Sequence, residues 1–432
     1  MKLTKFLLTT TTALGLSVTT AFANGNDAFL DQNGDEHSAL IEQSGDNNDA
    51  GGVGSQVTQN GHRNNLDILQ SGNDNSVGLG TNSFTGSTGI LQTHTGTVPS
   101  DTRRGNSLSI VQSSNGNTVG AVDQVSSTQG NNTRNSATIT QAGDGGNEID
   151  SVRQRKNSST RNTLNATQEG RNNLIAGIFQ NSNVGGNGLN TIDVYMAGTD
   201  NGRGALSGFA ADTGATTSSL IQDGRGNSID LDINGRPSIP VPDENQFGIT
   251  QLGNNNTVNT VTLDTKRANL GIYQDGNGNE VAPSTISGND NTIGILQIMD
   301  DNLAAVTVAG TGNSFLIDQN GVSNDASVTI SGNNNGDGLV FGDPLSGSAL
   351  TASLADAAWE RGVLRQFGDD NFANLTQFGN GNMFGTLQKG NGNIINGTQD
   401  GMTNQVAVVQ VGMTNTTGYS QVGSGNNAGI VQ

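Results

Sequence analysis

Residues 366–432 read QFGDDNFANLT (366–376), QFGNGNMFGTL (377–387), QKGNGNIINGT (388–398), QDGMTNQVAVV (399–409), QVGMTNTTGYS (410–420), QVGSGNNAGIV (421–431) and a final Gln432. Gln366, Gln377, Gln388, Gln399, Gln410, Gln421 and Gln432 stand 11 residues apart. So do Asn371, Asn382, Asn393, Asn404, Asn415 and Asn426, and so do Gly368, Gly379, Gly390, Gly401, Gly412 and Gly423. One residue type held at three positions through six consecutive units is a tandem repeat, and a repeat has to be read before local propensity. Within each unit the residues after Asn alternate with period two. Val406, Val408 and Gln410 share one face, as do Phe384, Thr386 and Gln388, which marks a strand with one buried side. The four residues between Gln and the next Asn are rich in Gly, Asn and Asp. These types tolerate left-handed backbone and make local hydrogen bonds, so the segment is a turn.

A strand of about seven residues spans roughly 20 Å, and stacked strands repeat at about 4.8 Å. Two strand-turn units therefore make one 22-residue coil, and stacking coils places Asn over Asn and Gln over Gln. Each amide can then donate to one neighbour and accept from the other, which spares the cost of about 1–3 kcal/mol for a buried polar group left unpaired. A second stretch gives the same coil independently. Asn291, Asn302, Asn313, Asn324 and Asn335 keep the 11-residue step, while the strand ends alternate as Ile286, Gln297, Val308, Gln319, Ile330 and Phe341. Odd and even strands thus belong to two different sheets across a narrow core. The predicted fold class is all-β: a β-solenoid of 11-residue strand-turn units, two per coil, with two facing sheets and cross-β stacking.

The N-terminal half keeps the theme with interruptions: Gln32, Gln43, a five-residue insertion around Gly51 to Gly54, then Gln59, Asn64, Gln70 and Asn75, with further copies at 106–112, 135–141 and 162–168. One residue too many near Gln124, Asn147, Gln154 and Gln180 predicts bulges or loosened turns. The period disappears at 194–219, at 237–242 and at 342–359. These segments predict loops that leave the stack, since Pro cannot donate to a ladder. The organisation is therefore 1–23 leader, 24–193 irregular repeats, 194–245 irregular segment with insertions, 246–341 regular repeats, 342–359 insertion and 360–432 regular repeats.

Composition narrows the function. The chain has no Cys, which excludes disulfides, Cys metal sites and thiol nucleophiles. Charged residues are 13% and apolar ones 31%, beside 63 Gly, against about 25% charged in an ordinary domain. A large conventional core is excluded. The net charge of −19 argues against a nucleic-acid partner. The one basic stretch, Arg153, Arg155, Lys156, Arg161 and Arg171, has no interleaved aromatics and reads as a solvated face. Residues 1–23 place Lys2 and Lys5 before a mildly apolar run, then Ala21-Phe22-Ala23 as a small-x-small cleavage site. That pattern is a secretory signal peptide with the mature chain starting near Asn24, and no segment reaches the roughly 20 apolar residues of a membrane span.

The unit Gln-x-Gly-x-x-Asn followed by an alternating strand ending in Gln resembles the repeat of curlin proteins, the subunits of curli-type bacterial amyloid fibres. The resemblance is strongest over 286–341 and 366–432 and extends back to Gln32. It implies a secreted structural subunit or nucleator that crosses the periplasm and outer membrane unfolded, then self-assembles into fibres for adhesion and biofilm matrix. The partners so implied are further copies of the chain, related curlin-like subunits and the outer-membrane export machinery. Carried over residue by residue, the fibre ladders fall to Gln297, Gln319, Gln366, Gln377, Gln388, Gln399, Gln410, Gln421 and Gln432. They fall likewise to Asn291, Asn302, Asn313, Asn324, Asn335, Asn371, Asn382, Asn393, Asn404, Asn415 and Asn426. Chain reversal falls to Gly368, Gly379, Gly390, Gly401, Gly412 and Gly423. Asp369, Asp370 and Asp400 sit where Gly and Asp slow assembly in the family. The chain departs from the pattern by having several times more repeats, non-repeat insertions and no Ser at the unit starts.

Other chemistry finds no support. His37 occupies the Asn position of a repeat and His62 a turn, and with His94 they make no i, i+4 metal pair. The GNGNGN clusters lack the strand-then-helix context and Gly-Lys-Ser/Thr of a phosphate loop. Turn aspartates follow an 11-residue period rather than the nine of calcium solenoids. The reading is therefore not an enzyme, with no cofactor and no metal. Trp359 is placed as a cap over the end of a stack, and the last strand as an open edge that templates another chain. The alternative is a non-polymerising extracellular β-solenoid adhesin that binds glycan or cations through its insertions.

Overall fold

The computed structural model describes residues 24–95, 105–127, 134–156, 161–182, 188–233, 243–336 and 345–432. The leader, the 237–242 segment and Phe341 lie outside them. The chain is nearly all β, with 62% strand and 3% helix, in parallel sheets throughout. It divides into two units. Unit 1 comprises Met1–Arg203, Ser218–Ile229 and Arg236–Pro242; unit 2 comprises Gly204–Thr217, Asp230–Gly235 and Asp243–Gln432.

In unit 2, sheet A stacks Gln246–Asn254, Asn269–Asp275, Thr292–Ile298, Ser314–Asn320, Val363–Phe367, Met383–Lys389, Gln405–Val411 and Asn427–Val431. Sheet B stacks Leu303–Ala309, Asp325–Ser331, Phe372–Asn380, Ile394–Met402 and Thr416–Ser424 after Thr257–Lys266 and the two short strands Glu280–Val281 and Ser284–Asn289, which share one coil. The chain visits the sheets alternately, one strand each per coil. Inward residues such as Phe315, Ile317, Leu375, Ile395, Val406 and Val408 are at most 1% exposed. Each such side chain stabilises the fold by about 1.5–3 kcal/mol, so a core one side chain thick suffices when it is repeated in every coil.

Unit 1 has the same plan, with Gln59, Gln92, Gln124, Gln154, Gln180 and Gln222 in register in one sheet and Gln43, Gln70, Gln112, Gln141 and Gln168 in the other. The slips near Gln124, Gln154 and Gln180 leave that register intact. The extra residue is taken up inside the strand, and a Cβ on Gly120 there would stand 2.3 Å from the Asp150 carbonyl oxygen.

Among the described residues, the insertions at 194–219 and 345–359 do not leave the stack. Tyr195 and Met196, expected in an irregular segment, belong to the strand Leu189–Met196. Both helices are short and return to the outer face of unit 2 sheet A. Helix α1, Gly208–Asp212, lies over Asn269–Asp275 and Thr292–Ile298; helix α2, Gly347–Ser353, lies over Gln405–Val411 and Asn427–Val431. After α2 the chain runs back along that face to Val363. Trp359 rests over Gly385, where a Cβ would stand 2.2 Å from its ring, so it is a side strap and not the predicted end cap. Asp356 and Lys389 pair at 2.6 Å, and Arg365 and Asp318 at 2.7 Å, to pin the strap. Asn427 accepts from the Ala349 N–H at 2.7 Å and donates to the Ser346 carbonyl at 2.6 Å. Alternation and Gly content foretell neither helix, because the segment's partner is a sheet face distant in sequence.

The turn geometry is two-point. Gly401 has φ 126°, and the residue before the next Asn is also left-handed: Asp370 at 56°, Thr403 at 56°, Thr414 at 58°. A β-branched residue pays about 1–2 kcal/mol for that conformation, which Asn adopts readily. Thr403→Asn is expected to raise the unfolding free energy of the chain by about 1 kcal/mol in denaturant titrations, with Thr403→Val giving no gain.

Candidate functional site

The Gln columns form continuous hydrogen-bonded files. In unit 2 sheet A the Nε2 of each Gln donates to the Oε1 of the next, through Gln251, Gln274, Gln297, Gln319, Gln366, Gln388, Gln410 and Gln432, at 2.8–3.1 Å. Gln366 takes the position after Gln319 that the 11-residue count assigns to Phe341. In sheet B, Gln377 donates to Gln399 at 2.6 Å and Gln399 to Gln421 at 2.8 Å. The other Nε2 proton crosses the core to the opposite strand: Gln388 to the Phe372 carbonyl at 3.0 Å, Gln399 to the Met383 carbonyl at 3.1 Å. One side chain therefore ties coil to coil and sheet to sheet. Where sheet B carries Ile286, Val308 and Ile330 the column is apolar and buried, and Gln377 Oε1, facing Ile330, has no hydrogen-bond partner.

The Asn side chains form two further files in unit 2, Asn302-324-371-393-415 and Asn291-313-335-382-404-426. Asn324 shows the pattern. Its N–H and Nδ2 donate to Asn302 Oδ1 at 3.1 Å, its second Nδ2 proton reaches the Gly368 carbonyl at 2.7 Å, and its Oδ1 accepts from Asn371. The same bond joins Asn371 to Gly390, Asn393 to Gly412, Asn382 to Gly401 and Asn404 to Gly423. The turn glycines so serve as acceptors as well as reversal points, a role the repeat count alone does not suggest.

A third file runs along the exposed turns, three residues after Gln. Asp300 Oδ1 accepts from the Asn277 N–H at 2.7 Å, Asp369 Oδ1 from Val322 at 3.0 Å and Asn391 Oδ1 from Asp369 at 3.1 Å. The sequence signal is the recurrence of Asn or Asp at this step, which local turn preference had seemed to explain. Asp369 thus links coils, Asp370 supplies a left-handed turn residue, and Asp400 is exposed.

The files end in complementary groups. At the 415–432 edge Asn415 Oδ1 and Asn426 Oδ1 accept no bond, and Gln421 and Gln432 Nε2 donate only to the Gln405 and Thr416 carbonyls. At the 26–43 edge Gln32 and Gln43 donate onward to Gln59 and Gln70, while their Oε1 atoms accept nothing from the described residues. Residues 23–51 match the family model of the curlin associated repeat. No curated protein matches the chain.

Within that curlin segment His37 takes the Asn position. Its Nδ1 accepts the Asn64 N–H at 3.3 Å and its Nε2 donates to the Asn33 carbonyl at 3.3 Å, an arrangement that needs the neutral ring. Burial lowers its pKa, against smaller opposing effects from Asn33 and Asp35. Because the folded value lies below the unfolded one near 6.5, the His37 contribution is full above that pH and is lost as pH falls through the folded value. The protection factors of the Ser38–Ser44 amides, which remove the intrinsic pH dependence of exchange, are expected to fall as pH drops below about 6.5, and His37→Asn to abolish the change. His62 instead pairs with Asp35 at 3.4 Å in the turn.

Proposed function

We propose that the chain is a secreted structural subunit of curlin-type fibres that assembles by adding copies end to end. The observation that carries this reading is the self-complementarity of the coils: the groups each coil presents to the next are the groups it receives from the one before. Asn26 to Gln32 and His37 to Gln43 span the same six-residue steps as Asn426 to Gln432 and Asn415 to Gln421. A second copy can therefore seat its 26–43 coil on the 415–432 edge and complete all four files. The core supports the same contact, since Tyr419, Ala428 and Ile430 are only partly covered at that edge. The role is structural, without catalysis. In this reading the fibre lies outside the cell, reached through an outer-membrane export machine.

The test follows purified chain by thioflavin fluorescence and negative-stain microscopy. Growth into unbranched fibres that seed fresh monomer, stopped by Gly423→Ala at the open edge, supports the proposal. A stable β-rich monomer that neither grows nor seeds, or growth indifferent to that substitution, sinks it and leaves a non-polymerising adhesin.

A further inference from the structure

The two insertions that lie on sheet A of unit 2 are copies of one motif. Leu206-Ser207-Gly208 opens α1 and Leu345-Ser346-Gly347 opens α2. Both serines are extended, with φ −138° and −130°, and both glycines are left-handed, at 54° and 52°. Ala210 and Ala349, two residues further on, are fully buried. Each helix rests on a glycine three residues before a ladder Gln. A Cβ on Gly294 would stand 2.2 Å from the Phe209 carbonyl oxygen, and one on Gly429 would stand 1.8 Å from the Ser348 carbonyl oxygen. Phe209 and Ser348 each follow the motif glycine, so the two helices are seated alike.

They differ in what comes next along the sheet. Beside Gly294, in the following strand, stands Leu316, three residues before Gln319 and 6% exposed. Its Cδ1 would be 2.8 Å from a Cβ on Gly294, and α1 reaches over its strand. A large apolar residue of the following coil thus closes the groove between helix and glycine. Gly429 has no such neighbour: among the described residues, Asn427–Val431 pairs with Gln405–Val411 alone. The α2 groove is therefore open along the sheet edge. Leu350, at the position Ala211 holds in α1, is 43% exposed.

We propose that the groove between α2 and Gly429 is a socket for Phe29 of a second copy. This rests on the end-to-end stacking proposed above, which seats Asn26–Gln32 on Asn426–Gln432 and so brings Phe29, three residues before Gln32, beside Gly429. Phe29 then takes the place beside α2 that Leu316 takes beside α1. The groove is continuous with the strand edge that receives the backbone of that copy, so one approach fills both. Phe29 is half-buried in its own chain, and covering the rest of its ring removes further apolar surface from water. The position also sets polarity. In the later sheet A strands of unit 1 it is Gln56, Gly89, Ala121, Ser151, Gly177 and Ser219, so the first coil carries the side chain that fills the socket and the interior ones do not. The insertion at 345–359 accordingly grips an incoming copy from the outer face while the amide files hold it from within.

The test compares Phe29→Ala with Phe29→Leu, the residue that closes the α1 groove, in the full chain. Seeded growth is carried to equilibrium and the monomer left in solution is measured. Phe29→Ala is expected to raise that concentration about tenfold, and Phe29→Leu to leave it within about twofold. Circular dichroism of each monomer checks the fold. In mixtures of Phe29→Cys and Ser348→Cys chains, which carry no other Cys, a short bis-maleimide is expected to link the two variants into heterodimers. Asp31→Cys mixed with Val431→Cys, one residue before Gln32 and Gln432, reports the stacking itself. Linking of the second pair without the first, or equal residual monomer for Phe29→Ala and the parent chain, overturns the socket and leaves the stacking in place. Absence of both links overturns the two together.

Discussion

Gly401→Ala is expected to destabilise the chain by about 3–5 kcal/mol, and Gly423→Ala, the same turn position one coil further on, by only about 1–2. A Cβ on Gly401 would stand 1.8 Å from the Gly423 carbonyl oxygen, and that oxygen also accepts from Asn404. Neither backbone can move without breaking the ladder, so the clash adds to the strain of φ 126°. Gly423 has φ 102°, yet its nearest neighbour to a Cβ is Asn426 Nδ2 at 3.7 Å, since no coil lies beyond it. Denaturant unfolding of the two variants measures the difference. The comparison also reports on assembly: if a second copy stacks on this edge, Gly423→Ala should leave the monomer folded while stopping its growth from seeds.

Asn324→Ala is expected to cost about 3–5 kcal/mol, and Asn415→Ala less than about 1. Truncating Asn324 removes the acceptor of the Asn371 N–H and the donor to the Gly368 carbonyl, both in the interior. The loss is that of two unpaired buried groups together with a broken file, in which aligned amides strengthen one another. Asn415 belongs to the same file but stands at its end, where its Nδ2 makes one 3.3 Å bond to Val411 and its Oδ1 accepts none. Thermal or denaturant unfolding distinguishes them. A similar cost at both positions would mean that stability comes from the apolar core alone and that the Asn files are incidental.

The acidic limb of the pH response separates the curlin segment from the rest. Among the described residues His37 alone replaces an amide by a titrating ring in the Asn files, so the first coil is the one expected to loosen in mild acid, while the described Asn and Gln files elsewhere have nothing to titrate. Sequence placed His37 at an Asn position; only the coordinates show that its Nδ1 does the work of an Asn oxygen.

The 11-residue step of Gln, Gly and Asn was enough to specify strands, turns, two sheets and the 22-residue coil, because a side-chain amide at a fixed position can be satisfied in a narrow core only by its copy in the next coil. The alternation of Gln with Ile and Val at 286–330 likewise sorted strands into sheets. What repeat counting could not reach depends on partners outside the repeat. The crossing of the second Gln proton to the opposite strand needs the distance between sheets. Helix α1 lies on sheet A where Gly271 and Gly294 leave room, and α2 and Trp359 where Gly429 and Gly385 do, a match between segments that share no period. Arg153 and Arg171, neighbours in a basic stretch of sequence, part in the fold, Arg153 beside Asp123 on the sheet and Arg171 in the turn after Gln168, because the strand between them carries the chain across the coil.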